Sequence, residues 1–515
     1  MFPGPFTLEA AEAIAGQGAG PMVLHLVDCS LLVPPRAGPD GRARYAMLET
    51  LRAYGTGLLA EAGEQDQAGA ALARYTVRVA EQAAAGMTII TGEPSAVRWL
   101  DAEDATMTQV LAWAVEHHLD MAARMVTALG LWWTLRGRLA GQGPLLRELA
   151  GRAEPGSQGW CTAQFWLGHA AFDASDMPEA LRRSAAVVDV IGNREPSRIL
   201  ADCLHLQSST LSNMDRLPEA AGCARRALAM ARELDYPFAQ AYATNALAIA
   251  ASHAGDPRDA VQLARQAGQI PGIPRSAARI CGCLLTSYLA WAGDLAAAEQ
   301  AGAATLAQAR DAGDLYALGT LLPVMADLDV QAGRAGDAAA HLREAAQLSL
   351  QTGSWSALNV LDGCGHLCAI TGRPADAVTA WAAYAALFPY EDWPAVARRR
   401  EEALRAARQA LGPDRARAAE QRGAAMSLAV AAEYALLLTE DPGRRAPAAP
   451  GLGGLSARER ELVALVAQGR TDAQIAAQLY ISIRTVRSHL DRIRDKTGAR
   501  RRADLTRLAL AAGLV

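Results

Sequence analysis

The sequence predicts an all-α protein, and three observations carry that expectation. Hydrophobic residues make up 51% of the 515 positions but aromatics only 5%, and the excess is alanine and leucine rather than β-branched residues, a composition that favours helix. A turn recurs roughly every forty residues through the middle of the chain. Near the C-terminus three helix starts follow one another in quick succession.

In chain order, residues 22–33 form an apolar stretch broken by His25 and Asp28. A Pro/Gly-rich turn follows at residues 34–41, then Arg42-Ala-Arg-Tyr-Ala-Met-Leu-Glu-Thr-Leu-Arg-Ala-Tyr54. That order reads as a helix end, a strand, a loop, a second strand and a helix from near Leu48, which predicts a small winged-helix-like piece over residues 1–70. Arg36, Arg42 and Arg44 are too few for a phosphate-binding face, so the piece is expected to be a structural joint. Residues 71–119 hold helical words. Within them Glu116-His117-His118 is expected to be a solvated turn rather than a metal site, because adjacent helical residues face different ways.

Residues 71–438 form the repeat array. Six turns align as Ser175-Asp-Met-Pro-Glu-Ala180, Asp215-Arg-Leu-Pro-Glu-Ala220, Gly255-Asp-Pro-Arg-Asp-Ala260, Gly293-Asp-Leu-Ala-Ala-Ala298, Gly333-Arg-Ala-Gly-Asp-Ala338 and Gly372-Arg-Pro-Ala-Asp-Ala377. Their final alanines lie 40, 40, 38, 40 and 39 residues apart, and Gly137-Arg-Leu-Ala-Gly141 marks a degenerate earlier copy. In most units a helix ends, the turn supplies Asp, Arg or Pro, and the next helix starts with an acid and a small alanine. Such units resemble tetratricopeptide repeats with a period longer than the usual 34 residues, which implies a tetratricopeptide-like α-solenoid with a concave binding surface. Trp160, Trp166, Trp291, Trp355 and Trp381 are expected to pack mainly between helices. The run Arg398-Arg-Arg400 with Glu401-Glu402 is expected to be a solvated helix face.

Residues 439–454 are rich in Pro, Gly and Ala and read as a flexible tether. Beyond them, residues 455–515 read as a compact helical DNA reader. Ser456 with Glu459 and Thr471 with Gln474 have the spacing of reciprocal caps, and Ser482 can cap a third helix. Leu462, Leu465 and Val466, then Ile475 and Leu479, then Val486, Leu490 and Ile493 give three apolar stripes that meet at helical spacing. Only Tyr480 and Ile481 separate the second helix from the third cap, the short connection of a helix-turn-helix. From Leu455 onward the chain holds 12 Lys+Arg against 6 Asp+Glu, so of the net charge of −4 the preceding part carries −10. A basic end module on an acidic body fits nucleic-acid contact at that end. Core-facing Val486, Leu490 and Ile493 leave the other side of the third helix as the reading surface. There Ser482, Arg484, Thr485, Arg492, Arg494 and Lys496 are candidates for phosphate contact.

The run Leu455-Ser-x-Arg-Glu, Gly469, Ile475-Ala476, Leu479, Ser482, Thr485-Val486, His489, Ile493 and Lys496-Thr-Gly498 resembles the DNA-binding domain of LuxR-type transcription regulators, with Asp472 and Gln474 where that family more often has Asn and Glu. The resemblance implies that Arg487, Ser488 and Asp491 face base edges in the major groove of double-stranded DNA. Arg487 is the natural partner of a guanine; Asp491 either accepts from cytosine or orients Arg487 at i,i+4. It implies dimerisation on DNA through the last helix, residues 503–512. Leu-Val-Asp-x-Ser-Leu-Leu and Arg-Tyr-x-Met-Leu-Glu-Thr-Leu-Arg-x-Tyr further resemble the winged-helix segment behind the ATPase module of the large, repeat-bearing LuxR-type regulators. The chain is thus expected to be such a regulator lacking the N-terminal ATPase module, through gene truncation, a misplaced start or evolutionary loss.

Lys496 is the sole lysine, so no Walker phosphate loop can form, and no ATP hydrolysis is expected. Eight cysteines in apolar helical contexts read as small buried hydrophobes in a reducing cytosol. No signal peptide or membrane span is expected, which places the protein in the cytoplasm. No catalytic constellation, cofactor site or metal site is evident, so the expectation is a non-enzymatic transcription regulator whose array binds an unidentified protein or small-molecule effector. The alternative is a repeat-built interaction scaffold with a vestigial DNA module.

Overall fold

The computed structural model describes residues 2–89, 92–352, 356–388, 390, 394–440, 454–468, 470, 472–499, 502–512 and 514. It is all-α apart from one two-stranded antiparallel hairpin, Leu32–Ala37 with Ala43–Met47. The first strand runs on through Pro34 and Pro35, which the sequence places in a turn. Pairing is regular at Leu32 and Val33, breaks, and resumes at Arg36 and Ala37; an irregularity of this kind is where proline, having no N–H to give, is tolerated in a ladder.

Arg44 is buried and bonded to Asp40 at 2.8 Å and to Glu103 at 2.9 Å. Arg42 lies 4.5 Å over the Trp99 ring. The hairpin is therefore fastened to the helix Glu93–His117 by the very arginines a DNA contact would need. At the end of that helix His117 and His118 both rest on Trp113.

All six turns of the repeat share one backbone solution. The first residue of each, Ser175, Asp215, Gly255, Gly293, Gly333 and Gly372, has positive φ between 57° and 84°, as does Gly137 of the degenerate copy. The chain must leave one helix in the left-handed region to enter the next, which is why glycine recurs there. Asp176, Asp256 and Asp294 then accept from the backbone N–H three residues on and cap the next helix. The closing alanines Ala180, Ala220, Ala260, Ala298, Ala338 and Ala377 are all fully buried. With only a methyl group at that point the two helices of a pair can close on each other.

The stacked helices curl until early and late turns meet. Arg136 binds Asp101 at 2.5 Å and reaches the carbonyl of Gly313 at 2.6 Å. Fully buried Arg279 bridges Glu93 and Asp314, both at 2.7 Å. On the inner side the rings of Trp166, His169 and Tyr316 approach within about 6 Å of one another in sequence. Trp160 and Trp381 are buried and Trp166 and Trp291 partly so, packed between helices; Trp355 lies outside the described residues. Six cysteines are buried, but Cys29, at the exposed end of the helix Ala19–Asp28, is not.

Of the run expected to be a solvated face, Arg398, Glu401 and Glu402 are exposed, but Arg399 and Arg400 turn inward in part, pair with Asp327 and Asp362 and tie the helix Pro394–Leu411 to two other helices. The last helix of the array ends at Leu438, and just past it Thr439 is buried with its carbonyl accepting from Arg343. Residues 441–453 of the expected tether lie outside the described residues.

Candidate nucleic-acid interface

The C-terminal unit is built from four helices, Ala457–Ala467, Asp472–Leu479, Ile483–Thr497 and Arg502–Ala511. The first starts with a complete reciprocal cap: the Glu459 N–H donates to Ser456 Oγ at 3.2 Å and the Ser456 N–H donates to Glu459 Oε2 at 2.7 Å. Thr471, the expected cap of the second, lies outside the described residues. Ser482 caps the third by accepting from the Thr485 N–H at 3.1 Å. Gly498 ends it in the left-handed conformation, φ 73°.

Leu462, Leu465, Val466, Ile475, Leu479, Val486, Leu490 and Ile493 are all buried in one small core, closed by Leu505 and Ala509 of the last helix. On its other flank the last helix lies against the array's helix Leu428–Leu438. The two-residue link holds Tyr480 at φ 55°, with its side chain 95% exposed. Arg458 secures this corner by donating to the Leu479 carbonyl at 2.9 Å.

With one side of the third helix consumed by the core, Arg484, Arg487, Ser488, Asp491 and Arg492 stand exposed along the other. Arg487 is 71% exposed at its side chain, and its Nε points at Asp472 Oδ2, 3.5 Å away, on the second helix. Asp491 binds Arg494 at 2.8 Å rather than Arg487, so the i,i+4 pairing weighed for it is not formed. Ser482 and Thr485 share a hydroxyl contact of 2.8 Å at the helix N-terminus, where the dipole favours an anion.

Lys496, a candidate for phosphate contact, has a partner within the unit. Its ammonium is gripped by both oxygens of Glu459, at 2.7 and 2.8 Å, and so ties the end of the third helix to the start of the first. Those bonds, with the Ser456 N–H, pull the Glu459 carboxyl down to about 2. The sequence carried each half of this contact but no signal joining them. Arg500 and Arg501 lie outside the described residues.

Residues 454–509 match the family described as bacterial regulatory proteins, luxR family. The C-terminal unit is a LuxR-type helix-turn-helix domain. Over a longer span, the chain is 28% identical across 352 residues to a Mycobacterium bovis protein named as a putative HTH-type transcriptional regulator, an alignment covering 66% of this chain and 38% of that one. The chain thus matches well under half the length of this relative. The transcriptional regulatory protein SgaR of Hyphomicrobium methylovorum is 46% identical over 67 residues, 13% of this chain and 28% of that protein. Among solved structures, the Signal Transduction ATPase with Numerous Domains protein with a tetratricopeptide repeat sensor from Pyrococcus horikoshii covers 79% of this chain and 60% of its own, at 13% identity and a TM-score of 0.37. Among the described residues no helix is long and apolar enough to cross a membrane, and no group of three or more His, Cys, Asp or Glu residues could hold a metal ion.

Proposed function

We propose that this chain is a cytoplasmic transcription regulator that acts by binding rather than by catalysis. Its LuxR-type domain reads an operator and its helical array answers to a protein or small-molecule effector. The observation that carries the reading is the exposed face of the helix Ile483–Thr497, three arginines with Ser488 and Asp491 set opposite a complete apolar core. A helix so mounted fits a major groove: Arg487 matches guanine O6 and N7 with two parallel bonds, and Ser488 and Asp491 face neighbouring base edges. Arg484, Arg492 and the hydroxyls of Ser482 and Thr485 suit flanking phosphates. Arg494, tied to Asp491, lends charge at the rim, and Lys496, held by Glu459, fixes the angle of the reading helix. Pairing of two chains through the last helix, once released from the helix Leu428–Leu438, would give a two-half-site operator.

The test is selection of bound sequences from random duplex DNA by the full chain, followed by titration. One sequence family should enrich, and Arg487→Ala should then cost about 1–3 kcal/mol on it and relax one base pair. Arg484→Ala should weaken all DNA alike. Failure to enrich any sequence would overturn the reading.

A further inference from the structure

We propose that Asp472 is a positioning residue for sequence reading, a buttress that presents the outer edge of the Arg487 guanidinium to the groove. The proposal rests on the DNA-reading function above and assigns a role to a residue of the second helix, which does not itself point into the groove.

The geometry is specific about which nitrogen is held. Asp472 Oδ2 lies against Arg487 Nε, the nitrogen nearest the backbone, and neither terminal nitrogen of Arg487 has a partner among the described residues. A carboxylate 3.5 Å from Nε biases the guanidinium towards orientations that keep its Nη1–Nη2 edge turned outward. That edge carries two parallel N–H donors, the fork that guanine O6 and N7 accept. An unheld arginine must lose its side-chain rotamer freedom when it binds. A held one has lost part of it already, so the base contact keeps more of its gross energy.

The other charged groups of the face leave Asp472 this task. Of the two acids on Arg487's own helix, Asp495 lies eight residues further along and Asp491 is taken up by Arg494 at 2.8 Å. Glu461 is taken up by Arg458 at 2.7 Å, and Glu459 by Lys496. Asp472 is also the first residue of its helix, a fixed element packed into the core through Ile475 and Leu479, so its carboxylate is anchored rather than swinging with Arg487. A carboxylate on a DNA-facing surface would otherwise only repel phosphate, which makes the sign of its removal diagnostic.

The experiment measures affinity of the full chain for the selected duplex and for random duplex, in wild type, Asp472→Ala, Arg487→Ala and the double variant. Asp472→Ala should weaken the selected duplex about two- to fivefold, the range of one exposed ion pair, while random duplex is bound as well as before or better, since a repulsive charge is gone. In the Arg487→Ala background the same substitution should no longer cost selected-site affinity, because nothing remains to be held. Asp472→Asn keeps an acceptor oxygen without the charge and should restore part of the loss. Equal strengthening on both duplexes would make Asp472 a mere repulsive charge and overturn the proposal. So would an unchanged cost in the Arg487→Ala background, which would mark a helix-start effect on folding. Absence of any selected duplex for the wild type would instead fail the DNA-reading function itself.

Discussion

Ser175 and Asp215 hold a conformation that the other repeat turns give to glycine, φ 61° and 57° against 70–84° at Gly255, Gly293, Gly333 and Gly372. A side chain in that region strains against its own carbonyl, so Ser175→Gly should stabilise the chain by roughly 0.5–1 kcal/mol, the steric relief less the added freedom of the unfolded glycine. Asp215→Gly should gain less, because aspartate tolerates the region better. The midpoint of urea unfolding measures both. Glu459 offers a pH-dependent counterpart. Its folded carboxyl titrates at about 2 against an ordinary 4.5, so the folded state binds the proton less well than the unfolded one. The contribution is full above about 4.5 and fades as pH falls towards 2. Amide exchange in the intact chain should show the helix Ala457–Ala467 losing protection across that window, and Glu459→Gln should remove the dependence. Equal acid sensitivity in both proteins would assign it elsewhere. The cap of this helix was legible because Ser456 and Glu459 stand three residues apart. The Lys496 bond was not, since 37 residues separate it from Glu459 and only the assembled core brings them together.

At the scale of elements, the turn words foretold more than turns. Each closing alanine marks the floor of a helix pair, and a larger side chain there has no space: Ala260→Leu should destabilise by about 1–3 kcal/mol through overpacking, read as a lower thermal midpoint with the helical signal retained. These alanines were visible in sequence because the contact they make is local and repeats. Arg399 and Arg400 misled for the opposite reason. A run of arginines beside two glutamates looks like a solvated face, and nothing in the run reveals that Asp327 and Asp362, on helices 72 and 38 residues away, turn towards it. The proline-bearing strand was likewise hidden, since Pro34 and Pro35 signal a turn unless a partner strand is known to skip them.

For the whole molecule, the buried group Glu93–Arg279–Asp314 fastens early helices to late ones. Arg279→Met leaves two carboxylates without their cation and should cost about 3–5 kcal/mol. The triple change Glu93→Gln, Arg279→Met, Asp314→Asn should cost far less, since the penalty belongs to the stranded charge; denaturant titration of both variants decides. An open row of repeats unfolds piecemeal from its ends, each unit answering only to its neighbours. Here Arg136 grips a carbonyl 177 residues further along, so the first unit has a second neighbour far down the chain and the row has become a loop. Its melting should then be a single sharp event rather than a fraying one. That closing contact, needing most of the intervening chain already in place, should also be among the slowest to form when the protein folds.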